Sequence, residues 1–275
     1  VSEKIMDWHK GGRRSTRTQR ARELLTELVP ALLRAFAESP EPDTAFHRFD
    51  DFLSRLPSGV QLFSLYSSRP ELISLTAEIF GFSPPLAETL GHNPQLFDAV
   101  ILGGFYNPLL TQQELAAELD SWLEFARNEE EFLQRLHTFT NEKKFQAGVH
   151  LLKKLSSAFD AGRFLSDVAD VVVRKIVKIT SDSFASQHGI IPESELLVIA
   201  LGKWGCHEFT LLSDLDLIFV YDVSCDEASS DGEKSLTASV YFSRLAQRII
   251  GALTALTREG RLYEADTRLR PFGKE

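Results

Sequence analysis

Apolar residues recur every three or four positions through the first two thirds of the chain, which is the spacing of one face of an amphipathic helix. Residues 18–36 show this most clearly. Helices are predicted at residues 18–36, 46–56, 60–66, 71–79, 85–90 and 94–101. The dividers between them are a few residues long and carry Pro, Gly or Asn, so we expect compact helix–turn–helix connections.

Longer amphipathic helices are predicted after Pro108, at residues 114–127, 129–155 and 166–186. The third is expected to begin at Ser166, because Ser followed by Asp is a common helix start. We expect the charged residues of these helices to lie on solvated faces.

The pattern changes after Pro192. Residues 196–201 are a continuous apolar run, which predicts a buried strand. Residues 214–221 predict a second strand, residues 234–256 a helix and residues 261–269 a third strand. Strands that alternate with a helix indicate an α/β unit, so the expected fold class is mainly α with an α/β part.

Composition narrows the classes of function. Of the 275 residues, 43% are hydrophobic and 25% charged, which is typical of a packed globular protein. The 39 acidic residues exceed the 30 basic ones and give a net charge of -9, which argues against a nucleic-acid or membrane partner. Two cysteines, no signal peptide and no apolar run of membrane-spanning length predict a cytoplasmic protein. Because the chain stops directly after the third predicted strand, we expect a piece of something larger.

Two aspartates in the second predicted strand are the first candidate chemistry. Because side chains alternate along a strand, Asp214 and Asp216 point to one face while the leucines beside them point into the core. Two neighbouring carboxylates repel each other unless a cation lies between them, and Mg²⁺ prefers oxygen ligands. The alternative is that both aspartates cap a turn at the mouth of the strand.

The surroundings of this pair favour a metal–triphosphate site. Small residues in the loop between the first two predicted strands let backbone N–H groups approach an anion. They are Gly202, Gly205 and Ser213. On the third predicted strand, Glu264 and Asp266 alternate in register, and Arg268 and Arg270 continue that face. The two arginines fit phosphate oxygens, or they only neutralise Asp266.

The residues around these positions resemble a known signature. Residues 201–221 read LGKWGCHEFTLLSDLDLIFVY. They resemble the nucleotidyltransferase signature of glutamine synthetase adenylyltransferases, Gly-x-Gly-Lys-Leu-Gly-Gly-x-Glu-Leu followed by Ser-Asp-Ile/Leu-Asp-Leu-Ile-Phe. Residues 262–271 read LYEADTRLRP and resemble its second signature, Tyr-Glu-Val-Asp-x-Arg-Leu-Arg-Pro. Between them, residues 241–248 (YFSRLAQR) also match in type and place.

The resemblance spans nearly the whole chain and implies a polymerase-beta-like nucleotidyltransferase fold, with a mixed sheet and flanking helices, truncated at its C-terminus. The expected domains are a helical linker region, 1–105, and a catalytic domain, 106–275. The catalytic domain would consist of a helical lead-in, 106–191, and an α/β core, 192–275.

The full-length enzyme of this family has two nucleotidyltransferase halves joined by helices. One half removes AMP from glutamine synthetase by phosphorolysis, and the other adds AMP from ATP. The chain resembles the second, C-terminal half in the wording of its second signature. It also resembles that half at residues 49–63, 92–98 and 145–149.

For the adenylylating half, the resemblance implies transfer of AMP from ATP to a tyrosine hydroxyl of glutamine synthetase. Asp214, Asp216 and Asp266 would be catalytic and would hold two Mg²⁺ ions, while the hydroxyl attacks the α-phosphorus in line and pyrophosphate leaves. The residues implied in ATP binding are Gly202, Lys203, Gly205, Cys206, Ser213, Arg268 and Arg270. The implied partners are glutamine synthetase, the nitrogen-regulatory signal protein and glutamine as an effector.

Three residues depart from the family pattern. Ala200 stands in place of a Gly, Trp204 in place of a Leu, and Cys206 in place of the second Gly of a pair. If position 206 needs a positive φ, a residue other than glycine is strained there by about 1 kcal/mol. The Cys206 side chain would also stand where the phosphates should pass.

Two alternatives stay open. The AMP-removing half shares the metal site and differs in using phosphate as the attacking group. The other alternative is a catalytically silent module that senses the signal protein or glutamine, since Cys206 departs from the pattern and the chain stops at Glu275.

Overall fold

The computed structural model describes residues 1–101, 104–225, 227–257 and 260–268, which form twelve α-helices and three β-strands. The first seven helices are α1 (Ser2–Lys10), α2 (Gln19–Ala37), α3 (Pro42–Arg55), α4 (Val60–Ser68), α5 (Glu71–Phe82), α6 (Pro84–His92) and α7 (Leu96–Ile101). The others are α8 (Gln112–Leu123), α9 (Glu129–Leu152), α10 (Ala158–His188), α11 (Gly202–Gly205) and α12 (Ala238–Thr254). The strands are β1 (Glu195–Ala200), β2 (Leu215–Asp222) and β3 (Ala265–Asp266).

By their contacts, the residues divide into two compact units. The first consists of Val1–Asn107 and Gly148–Leu155, and the second of Pro108–Ala147 and Ser156–Glu275. The domain boundary expected between residues 105 and 106, and the subdivision at residue 191, stay predictions.

The first unit is helical and is built around aromatic side chains. The Trp8 ring stacks on Phe46 with 5.2 Å between centroids, and Phe52 lies 5.5 Å from Phe80. All four rings are buried, because the apolar positions of their helices face one another.

The second unit contains the sheet. One buried cluster joins β2 to the long helices α10 and α12. Its members include Val168, Val172 and Ile176 of α10, Leu245, Ile249 and Leu253 of α12, and Leu215 and Leu217 of β2. Helices that cover a sheet through such a stripe form one hydrophobic core, which holds β2 in place.

The sheet has the strand order β1-β2-β3. β1 and β2 pair antiparallel, from Glu195 opposite Asp222 to Ala200 opposite Leu217. β2 and β3 pair parallel, with Asp216 opposite Asp266. The sheet is therefore mixed, and its central strand carries Asp216, while Asp214 lies just before the first residue of that strand.

Helix α10 begins earlier than expected. Its N-cap is Ser157, whose hydroxyl accepts a hydrogen bond from the Asp160 amide at 3.1 Å. Ser166, the predicted start, is fully buried within the helix and donates to the Gly162 carbonyl at 3.0 Å. The prediction of the start was wrong because a serine inside a helix can donate its hydroxyl hydrogen to a carbonyl of the preceding turn, and it then needs no capping position.

Two of the predicted strands also differ. β1 was expected to be buried, yet only one face is covered, and on the other Leu197 is 51% exposed and Ile199 41% exposed. β3 covers two residues of the predicted range 261–269, of which Leu269 lies outside the described residues. A third difference is α1, which the apolar pattern did not predict.

The expected fold class is confirmed: the protein is mainly helical, with a small mixed sheet and flanking helices. Within the described residues, the apolar stretches of the helices are too short to cross a membrane.

Candidate active site

The site is built on the central strand. Leu215 and Leu217 are buried, whereas Asp216 between them is half-buried and Asp214 is exposed. The alternation anchors the strand through its leucines and leaves the aspartates on the open side, as the sequence predicts.

Backbone hydrogen bonds fix this strand on both edges. The Leu201 amide donates to the Asp216 carbonyl at 2.8 Å, and the Leu215 amide donates to the Glu264 carbonyl at 2.9 Å. Asp216 also lies opposite Asp266 in the parallel pair, so one aspartate from each of two neighbouring strands stands at the same register position at one end of the sheet.

The turn after β1 comes close to the Asp216 carboxylate. Gly202 has φ +54°, which favours glycine, and a Cβ there would overlap the Oδ2 atom of Asp216. At Gly205, a Cβ would lie 2.6 Å from the Ala200 carbonyl oxygen. Both positions therefore require glycine, because Gly202 lies too close to a carboxylate, and Gly205 too close to the backbone, for a Cβ atom to fit.

Trp204, one of the departures from the family pattern, holds this turn against the helices. Trp204 is 4% exposed, and its indole Nε1 donates to Asp170 Oδ1 at 2.9 Å. The other oxygen of Asp170 accepts from Gln112 at 2.6 Å. The sequence marked Trp204 as unusual but gave no signal of its bond to Asp170.

Cys206, which also departs from the family pattern, is exposed and has φ -88°. The backbone of Cys206 is therefore not left-handed, and the strain expected for a positive φ does not arise there. The positive φ falls on the next residue, His207, at +57°.

Two further residues predicted to bind ATP lie in the same segment. Lys203 is exposed on α11. The Ser213 hydroxyl accepts from the Thr210 amide at 3.0 Å and lies 2.8 Å from the Thr210 hydroxyl, so it closes the turn that leads into β2. Part of the predicted loop is the short helix α11.

Asp266 is bound by a neighbouring arginine. Its carboxylate is 19% exposed and accepts from the Arg268 amide at 2.9 Å, from Nε at 3.1 Å and from Nη2 at 2.9 Å. Such a fork-shaped pair fixes the plane of the carboxylate. Arg270 lies outside the described residues, and its role stays a prediction.

Mg²⁺ was the metal expected here. Within the residues that the structure describes, no three His, Cys, Asp or Glu side chains form a group that could hold a metal ion. The donors nevertheless fit this ion in kind, because hard divalent cations take carboxylate oxygens. Gly202 leaves open the space beside Asp216 that a side chain would fill.

A lysine that the sequence did not single out supports the strand that carries Asp266. Lys144 on α9 donates from Nζ to the Leu262 carbonyl at 2.7 Å, and its Nζ lies 3.7 Å from the centre of the Tyr263 ring. Burial lowers the pKa of Lys144 to about 7. No pattern distinguishes this lysine from the solvated charges of its helix.

Comparison with known proteins shows the family to which the chain belongs. The family model described as glutamate-ammonia ligase adenylyltransferase matches residues 73–275, which is well over half of the chain. The chain belongs to the glutamate-ammonia ligase adenylyltransferase family. The expectation drawn from the two signatures is thereby confirmed at the level of the family.

Several curated proteins of this adenylyltransferase family are similar over almost all of the chain. The bifunctional glutamine synthetase adenylyltransferase/adenylyl-removing enzyme of Mesorhizobium japonicum is 43% identical over 271 residues, which cover 98% of this chain and 28% of that protein. The proteins of the same name from Rhizobium meliloti and Brucella suis are each 42% identical over 271 residues, with the same coverage. The chain thus spans about 28% of the length of these relatives.

Proposed function

We propose that the chain transfers AMP from ATP to a tyrosine hydroxyl of glutamine synthetase, as the adenylylating half of its family. The observation that carries this proposal is the register of Asp216 with Asp266, beside a glycine turn that comes close to Asp216. The names of the relatives supply the substrate, and the wording of residues 262–271 favours the direction of transfer.

In this proposal, Asp214, Asp216 and Asp266 hold two Mg²⁺ ions. When bound, these ions would neutralise the triphosphate and stabilise the charge that develops during in-line displacement. Arg268 holds the Asp266 carboxylate in one plane, and the exposed Lys203 ammonium is available to phosphate oxygens. Gly202 keeps a side chain away from the Asp216 carboxylate, and Gly205 lets the turn pack against the Ala200 carbonyl.

The nitrogen-regulatory signal protein and glutamine remain proposed partners, because the relatives' names mention neither. A cytoplasmic location is part of the same proposal. It suits two exposed thiols, Cys206 and Cys225, that form no disulfide.

The test supplies glutamine synthetase and labelled ATP with Mg²⁺ to the chain and to its Asp216→Asn variant. We expect the wild-type chain to label glutamine synthetase and the variant to lose at least about a hundredfold in rate. The matched control is Asp222→Asn, at the other end of β2, where the side chain is exposed and, among the described residues, accepts only from the Val223 amide next to it. An Asp216→Asn variant as active as this control would reject the site.

The second candidate is the AMP-removing activity, because the relatives' name states both activities. It predicts that the chain releases label from adenylylated glutamine synthetase when inorganic phosphate is supplied without ATP. Running both reactions on the same preparation separates the two directions, since only one of them consumes ATP.

A further inference from the structure

The two residues that precede β3 are enclosed in the second unit. Leu262 is 1% exposed and Tyr263 is 3% exposed. The Tyr263 amide donates to the Leu253 carbonyl at 3.1 Å, and its ring lies edge-on to Phe209 with 5.9 Å between centroids. This segment is therefore the anchor from which the short strand β3 starts.

The hydroxyl of Tyr263 does not contribute to that anchor. It is buried and has no hydrogen-bond partner in the part of the chain that the structure describes. The Lys144 amine lies over the face of the ring and at the same time binds the Leu262 carbonyl. One side chain of α9 therefore contacts both residues of the anchor, one through its carbonyl and the other through its ring.

The pairing that follows is short. Among the described residues, β3 pairs with β2 at two positions, Ala265 with Leu215 and Asp266 with Asp216. A parallel pair of this length has few hydrogen bonds with which to resist a shift of register. The position of Asp266 therefore depends on what fixes the residues immediately before it.

We propose that Lys144 is a positioning residue for Asp266: by holding Leu262 and Tyr263, it sets the register that brings Asp266 opposite Asp216. The inference rests on the proposed function, because the register matters for AMP transfer only if Asp266 belongs to the site. Lys144 itself touches no reacting group.

The environment of the amine explains why one hydrogen bond can have this effect. Leu262 is 1% exposed, so water competes little for its carbonyl. Burial of the amine also lowers the pKa of Lys144 to about 7, and the amine donates in either protonation state. Glutamine and methionine have the same reach, one heavy atom less than lysine; glutamine offers a neutral N–H donor and methionine offers none.

Three variants test the proposal: Lys144→Met, Lys144→Gln and the control Lys143→Met. Lys143 is the neighbouring lysine of the same helix, but it pairs with Glu118 at 2.7 Å, and none of its described contacts involves β3. The first measurement is hydrogen exchange of the Leu215 and Tyr263 amides, relative to the global stability from urea unfolding. The second is the kinetics of AMP transfer.

We expect Lys144→Met to speed exchange of the Leu215 amide by about tenfold beyond any global change and to lower kcat by a similar factor, with KM for ATP within about twofold. We expect Lys144→Gln to recover most of both quantities and Lys143→Met to resemble the wild-type chain in both. Unchanged exchange in Lys144→Met would overturn the inference, and so would a loss that Lys144→Gln does not repair. If the wild-type chain transfers no AMP, the proposed function fails, while the exchange data still decide whether Lys144 fixes the strand.

Discussion

Gly202 lies so close to Asp216 that a methyl group on its Cα would occupy the position of the carboxylate oxygen Oδ2. The first residue of α11 thus limits what can stand beside the candidate metal ligand of β2. The left-handed backbone at Gly202, with φ +54°, adds a second reason for glycine.

Gly202→Ala is therefore expected to lower the free energy of unfolding by about 2 kcal/mol, because the new methyl group displaces Asp216 and the backbone is strained. Urea unfolding measures this, and AMP transfer should fall with it. Gly251→Ala is the control: Gly251 lies within α12 with open space around it. That substitution should raise stability by about 0.5–1 kcal/mol, and equal effects of the two would contradict the geometry.

Trp204→Phe should cost about 1–3 kcal/mol of stability, because it removes one of the two donors that Asp170 has among the described residues. Trp122→Phe is the matched control, since no hydrogen bond of the Trp122 indole occurs among the described contacts and its ring packs 5.8 Å from Phe139. Thermal or urea unfolding of both variants gives the comparison. An equal loss in both would show that ring size, rather than the bond to Asp170, governs the effect.

His207→Gly should stabilise the protein by about 0.5–1 kcal/mol, because His207 has φ +57° and glycine adopts that conformation without strain. The side chain is exposed, so little packing is lost. Glu208→Gly, at the next exposed position and without a positive φ, should destabilise instead. The urea midpoints of the two variants give the comparison. A loss of stability in both variants would contradict the prediction.

Asp50 predicts acid sensitivity in the first unit. Burial alone would raise the pKa of Asp50, but hydrogen bonds from Arg13, Lys4 and Trp8 outweigh it and lower the pKa to about 2. The unfolded pKa is about 3.9, so the stabilisation, about 2 kcal/mol, is fully present above pH 4 and is lost as pH falls towards 2. Asp50→Asn should be less stable at neutral pH and should lose less stability on acidification, as urea unfolding at pH 3 and pH 7 would measure.

Amphipathic spacing was sufficient to predict most of the helices. The run at residues 18–36 became α2 (Gln19–Ala37) because its apolar residues bury one continuous face. Asp214 and Asp216 were also predicted from a local property, because side chains alternate along a strand. Their relation to Asp266 is not local: the residue pattern placed Asp266 on another predicted strand, and the resemblance of the two signatures implied that all three aspartates act together.

The features that could not be predicted from the sequence depend on contacts between residues that are far apart along the chain. The bond from Trp204 to Asp170 joins positions 34 residues apart, and that from Lys144 to Leu262 joins positions 118 apart. A lysine that faces a buried carbonyl has the same local pattern as one that faces water. The length of β3 likewise depends on its pairing with β2, which spacing along the chain does not show.

The uncovered face of β1 has a consequence for handling this protein. Leu197 and Ile199 present aliphatic side chains to solvent on a strand that, among the described residues, pairs only with β2. An outer strand with free backbone groups and apolar side chains can add another strand from a neighbouring molecule. Self-association of the chain should therefore rise with concentration, and Leu197→Lys would suppress it without touching the aspartates at the other end of the sheet.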